Sequence, residues 1–221
     1  MAASNPPAIP PAIFVLAGVN GAGKSSLGGE IIRRGGFDYF NPDEAARRIR
    51  ATTGCTVDEA NGLAWAEGKR RLESAIKGRL SHAFESTLAG RTIPALLIDA
   101  TRAGFEVGVW FIGLSNPETH IARVRARVAS GGHDIPEEMI RTRWDTSRRN
   151  LIALMPHLTE LRIYDNSEES DPARGTIPKP RLLLHWRRGR IVAPRARAML
   201  LTPEWAKPIV AAALKLQRSH H

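Results

Sequence analysis

Gly18-Val19-Asn20-Gly21-Ala22-Gly23-Lys24-Ser25 sets glycine, lysine and a hydroxyl at the spacing G-x-x-x-x-G-K-[ST]. Those residue types, in that order, suit the binding of a phosphate chain. Glycines let backbone N–H groups approach an anion that a Cβ would hold off, and a lysine here reaches the β- and γ-phosphates while the serine ligates Mg²⁺. The loop therefore predicts a bound nucleoside triphosphate, ATP or GTP, with Mg²⁺. Its candidate contacts are Gly18, Asn20, Gly21, Ala22, Gly23, Lys24, Ser25 and Ser26, with Ser25 as the metal ligand.

Phosphoryl transfer also needs a base for the acceptor and positive charge around the migrating group. Asp43 is a candidate base. It stands in Asn41-Pro42-Asp43-Glu44, which is equally a good helix start, so base and first-turn acid both remain open. Glu44 points roughly 100° away from Asp43 on a helix. Arg123 and Arg127 share a helix face, and Arg125 does not. Arg141, Arg143, Arg148 and Arg149 follow on the next helix, across Ser130-Gly131-Gly132-His133. Two arginine-bearing helices joined by glycines look like a lid over phosphates. His133 on that connection is a candidate phosphate or substrate contact. No His/Cys/Asp/Glu spacing marks a structural metal.

The elements that must position these residues alternate. Ile13–Ala17 reads as a buried strand delivering the glycine-rich loop, with a helix leaving from Lys24 to about Arg34. Phe37–Phe40 is a short strand, followed by a helix to about Arg50. Thr56, with Glu59 three residues on, opens a long helix to Arg79 through a capping box. His82–Glu85 and Phe105–Leu114 are further strands. Leu96-Leu97-Ile98-Asp99 mimics a strand ending in a magnesium-binding aspartate. The stretch from Thr92 to Ala103 is nevertheless read as the helix that a parallel crossover requires, with Asp99 on its surface. Helices from Asn116 to about Ala129 and from Pro136 to about Leu154 precede a strand at Leu161–Tyr164. Arg181–Trp186 and Gly189–Val192 suggest a hairpin, and Pro203–Leu216 a terminal helix.

This alternation predicts an α/β fold, a parallel sheet covered by helices on both faces. Ligands of such sheets bind at the carboxyl ends of the strands, so the loops after the first three strands should converge. The expected organisation is a loose tail over 1–12, a core over 13–170, and a C-terminal extension over 171–221 packed on or near the core.

The 221 residues carry a net charge of +10, unevenly placed. From Asp171 onward there are 11 Lys/Arg against 2 Asp/Glu, whereas the first 170 residues are nearly neutral. A basic extension can bind nucleic acid or an acidic partner, or be a solvated face. One cysteine, Cys55, rules out an intramolecular disulfide and suits a reducing compartment. No apolar run reaches the ~18–20 residues of a membrane span, and the expectation is a cytoplasmic protein with no membrane association.

With these residues assembled, the chain resembles the zeta-toxin family of P-loop kinases. The matching stretches are Ala17 to Ser26, Phe40-Asn41-Pro42-Asp43-Glu44, Phe84-Glu85-Ser86-Thr87-Leu88-Ala89-Gly90, the arginine helix with Gly131-Gly132-His133-Asp134-Ile135-Pro136, and Tyr164-Asp165-Asn166-Ser167. The resemblance implies a P-loop kinase fold and an acceptor-activating base at Asp43. It places Glu85 and Thr87 at the acceptor, Asn166 at the nucleotide and Arg127 on the γ-phosphate. It implies a small-molecule acceptor such as a hydroxyl of UDP-N-acetylglucosamine, and an antitoxin that blocks nucleotide access. Where the toxins carry a second arginine this chain has His133; Arg141 and Arg143 are the candidates for that charge, and spacing alone does not choose between them. A nucleotide-gated binding protein and a polynucleotide 5′-hydroxyl kinase guided by the basic extension are the alternatives.

Overall fold

The computed structural model describes residues 10–24, 39–168 and 180–219. Ser25, Ser26, the helix expected from Lys24 to Arg34 and the start of the basic extension lie outside them. The strands are β1 (Ala12–Ala17), β2 (Tyr39–Phe40), β3 (His82–Ser86), β4 (Glu106–Gly113), β5 (Glu160–Asp165), β6 (Arg181–Arg187) and β7 (Arg190–Ala193). They form one sheet in the order β2-β3-β1-β4-β5-β6-β7. The first five run parallel, and β6 and β7 extend the sheet antiparallel. Parallel strands need crossovers, supplied here by α1 (Pro42–Thr53), α2 (Val57–Gly78), α3 (Thr92–Arg102), α4 (Pro117–Ala129) and α5 (Glu137–Leu154).

Local chemistry explains where the helices begin. Asn41 caps α1, its side-chain oxygen accepting from the backbone N–H of Asp43 at 2.9 Å and of Glu44 at 3.1 Å. Thr56 and Glu59 form the expected capping box on α2. The Asp99 stretch is helical, as α3. Its Leu97 and Ala100 are buried against the sheet, and Asp99 pairs at the surface with Arg102. Among the described residues no helix is long and apolar enough to cross a membrane.

The core runs through both halves of the sheet. Ile13 and Val15, Val107 and Val109, and Leu161 and Ile163 are fully buried, at alternate positions that put each pair on one face of its strand. Trp186 on β6 and Trp205, which precedes the terminal helix α6 (Lys207–Arg218), belong to the same core. The Trp205 ring lies where a Cβ on Gly113 would be, at the end of β4. Trp205→Ala is therefore expected to lower stability by about 3–5 kcal/mol, the usual range for deleting a buried aromatic. Urea unfolding followed by circular dichroism measures it, and a loss under about 1 kcal/mol would mean the terminal segment is only loosely applied.

Candidate active site

Because β1, β2 and β3 are parallel, their carboxyl ends open on one edge. The phosphate loop, the Asn41–Asp43 turn and the Ser86–Gly90 loop all line one cleft of about 530 Å³. Asn20, Lys24, Asp43, Glu85, Thr87 and His133 from the sequence reading meet there.

The loop has the shape its glycines allow. Gly18, Gly21 and Gly23 have φ of +144°, +81° and +86°, backbone that L side chains rarely adopt. A Cβ on Gly21 would lie 2.7 Å from the carbonyl oxygen of His120. The Lys24 ammonium donates to the Gly18 carbonyl at 2.8 Å and the Val19 carbonyl at 3.4 Å, across its own loop. Asn20 is buried, and its carbonyl lies 2.8 Å from His120 Nδ1 on α4. Its side-chain oxygen accepts from Arg143 of α5 at 2.7 Å. Asn166, after β5, donates to the Ala22 carbonyl at 2.9 Å, so it braces the loop from the opposite side.

Asp43 sits in the first turn of α1, but Asn41 does the capping. Glu85 fixes that cap. Buried at the end of β3, it accepts from the Tyr39 hydroxyl and from the Asn41 amide, the latter at 2.9 Å. The Asn41 amide is thereby oriented with its oxygen toward the helix. Glu85 thus positions the turn that presents Asp43.

The arginines separate by role. Arg127 reaches to 3.9 Å from Asp43 and donates to the His133 carbonyl at 2.9 Å. Arg123 donates to the carbonyls of Asn166 and Glu168. Arg125 pairs with Glu137 and Arg141 with Glu118, both at the surface. Arg143, unlike Arg141, lines the cleft. Burial lowers the Arg143 pKa, opposed by the Asp43 charge. A guanidinium remains protonated under such a shift.

Helix α5 also holds the third loop. The Ser147 hydroxyl donates to the Thr87 carbonyl, and the Asn150 amide to the carbonyls of Leu88 and Gly90. Leu88 is fully buried at φ +54°, a conformation that costs a non-glycine residue energy. The loop is thus held in a shape it would not adopt alone.

Helix α2 supplies a wall that the sequence reading missed. Asp58, Asn61, Trp65 and Lys69 face the cleft, and Trp65 is 53% exposed. Their spacing of three, four and four residues is a helix stripe, and that was the available signal. His120 and Tyr39 carried no comparable one.

The zeta toxin family model matches residues 2–171. Cytidylate kinase from Methanocella arvoryzae is 30% identical over 168 residues, covering 69% of this chain and 84% of that protein. An uncharacterized protein of Haemophilus influenzae is 40% identical over 70 residues, 32% of this chain and half of that one. Among solved structures, a chain of the AvrRxo1-ORF1:AvrRxo1-ORF2 complex with sulphate ions superposes with a TM-score of 0.62 at 16% identity. That match covers 89% of this chain and 65% of the other. A chain of the PezAT chromosomal toxin–antitoxin system of Streptococcus pneumoniae gives 0.52 at 13% identity, over 98% and 89%. The match thus spans half of the Haemophilus protein and just under two thirds of the AvrRxo1 chain. The family model covers most of the sequence and every motif around the cleft, so this chain belongs to the zeta toxin family, on a P-loop kinase fold.

Proposed function

We propose that the protein is an ATP-dependent kinase that transfers the γ-phosphoryl group to a hydroxyl of a small molecule. A sugar nucleotide such as UDP-N-acetylglucosamine is the first candidate acceptor. One observation carries the reading: Lys24, Asp43 and the α2 wall share one cleft, with Asp43 beside the phosphate loop. Donor and acceptor would meet at Asp43.

In this reading the loop N–H groups and Lys24 hold the β- and γ-phosphates. Asp43 takes the proton of the acceptor hydroxyl, whose oxygen forms a bond to the γ-phosphorus. The bond from that phosphorus to the β,γ-bridging oxygen breaks, and ADP leaves with the electron pair. Arg143 inside the cleft and Arg127 behind Asp43 supply the positive charge that a loose transition state rewards. The glycine cradle and Lys24 fit a triphosphate. Mg²⁺ would rest on Ser25, phosphate oxygens and water. When bound it neutralises phosphate charge. GTP is the alternative donor.

The α2 wall would receive the acceptor, with Trp65 as a face for a ring and Asn61 and Asp58 as hydrogen-bonding edges. Trp65→Ala is expected to raise the acceptor KM about 2- to 10-fold, the worth of one aromatic contact of ~0.5–1.5 kcal/mol, with kcat little changed. Steady-state kinetics decide, and an unchanged KM would remove Trp65 from the acceptor site.

A polynucleotide acceptor guided by the basic extension fits less well. Strands β6 and β7 of that extension lie toward the opposite edge of the sheet from β3, roughly 19–24 Å away at the usual strand spacing. Similarity to a cytidylate kinase favours a second reading, in which a nucleoside monophosphate accepts on its phosphate; a carboxylate at the junction argues for a hydroxyl instead. The reaction would draw on cytoplasmic ATP, and an antitoxin that covers the nucleotide cleft is the proposed protein partner. Incubation with labelled ATP and a panel of sugar nucleotides, nucleoside monophosphates and oligonucleotides, read by mass spectrometry, tests all of this. Label on none of them, in a protein that binds ATP, would overturn the transferase reading.

A further inference from the structure

We propose that His120 is a positioning residue of the phosphate loop, fixing the Asn20 peptide from the first turns of α4 and so setting the loop's affinity for the donor phosphates. The proposal rests on the reading of that loop as the ATP site. His120 is 1% exposed. Its Nδ1 lies 2.8 Å from the Asn20 carbonyl, which can only accept, so Nδ1 carries the hydrogen. The ring's other nitrogen, Nε2, is buried with no hydrogen-bond partner among the described residues. Such an orphan is destabilising. A leucine would fill comparable space without that cost, so the use of histidine lies in its Nδ1–H.

Peptide planarity says what that hydrogen bond does. In a trans peptide the carbonyl of Asn20 and the N–H of Gly21 point in opposite directions. Tying the carbonyl to α4 turns the Gly21 N–H away from α4, and a phosphate cradle depends on the direction of such groups. The contact continues at the next residue, where Gly21 leaves room for the His120 carbonyl. Arg143 holds the Asn20 side chain independently, from α5. Two helices thus fix one loop residue at its two oxygens. Burial first, then Lys24 and Arg123, lower the imidazole pKa to about 4, with the Asn20 hydrogen bond opposing. Set by these neighbours, the ring is neutral near pH 7, and it acts by direction rather than charge.

Two amide substitutions separate this from packing. Asparagine places its N–H₂ near the position of Nδ1, whereas glutamine places it near Nε2. Binding of the non-hydrolysable analogue AMP-PNP with Mg²⁺ is measured by titration calorimetry, on full-length proteins with native circular dichroism. His120→Asn should bind within about threefold of wild type, and His120→Gln about tenfold or more weaker, the equivalent of one hydrogen bond. His120→Leu, which keeps the bulk, should resemble His120→Gln. Equal affinities for the asparagine and glutamine variants would overturn the proposal, as would a leucine variant that binds like wild type. If wild type binds neither AMP-PNP nor GMP-PNP, the nucleotide reading falls and the proposal with it; if wild type binds and only the variants disagree, His120 alone is misassigned.

Discussion

Lys24→Ala is expected to reduce phosphoryl transfer at least about 10²-fold, the scale of losing one preorganised charge at a developing oxyanion. The ammonium stands at the mouth of the loop, bonded to the carbonyls of Gly18 and Val19, where it can pass to the β- and γ-phosphates. Alanine removes the charge from the ground state and, with greater effect, from the transition state, so ATP affinity should fall as well as kcat. The same two bonds give Lys24 a structural share in the loop. Lys24→Met, which retains the stem without the charge, controls for it. Each variant is assayed for ATP turnover, AMP-PNP binding and urea midpoint. If Lys24→Met keeps turnover within about threefold of wild type, the loop is not the donor site.

Much of this site could be read from local pattern. The glycine-rich loop fixes both its own shape and the elements beside it. Thr56 with Glu59, and Asn41 with Pro42, mark helix starts by short-range hydrogen bonds that sequence spacing encodes. The Asp99 stretch could be assigned to a helix because a parallel crossover needs one. What remained open depends on contacts between distant residues. Arg141 and Arg143 lie two apart on α5, about 200° around the helix axis, and their spacing cannot say which faces the cleft. Packing of α5 against Asn20 and the Thr87 loop decides for Arg143, while Arg141 meets Glu118. Glu85 looks like an acceptor ligand in isolation; its hold on Asn41, 44 residues away, exists only after β2 and β3 pair. The hairpin of β6 and β7 was readable as a hairpin, but its pairing with β5 is a tertiary choice. Trp186 and Trp205 in the core make that choice stable.

Asp43→Asn should retain AMP-PNP binding and the fold while lowering kcat by about 10²–10⁴-fold, the usual contribution of a general base. The geometry favours a clean test. Asn41 caps α1, and Glu85 secures that cap, so the helix start survives the substitution. The separation from Arg127 is 3.9 Å with both side chains substantially exposed, and ion pairs of that kind contribute little to stability. What the amide cannot do is take a proton from the acceptor. Stability and activity should therefore part company: the urea midpoint stays near wild type while transfer is lost. Two companions locate the effect. Asp43→Glu keeps the carboxylate but moves it by one methylene, and should recover part of kcat if a base is all that is missing. Arg127→Lys keeps charge near Asp43 without the guanidinium fork, and should lower kcat more than it weakens AMP-PNP binding. A loss below about fivefold in Asp43→Asn would leave Asp43 a first-turn acid of α1, and the base would then be sought among the α2 residues that line the acceptor wall, Asp58 first.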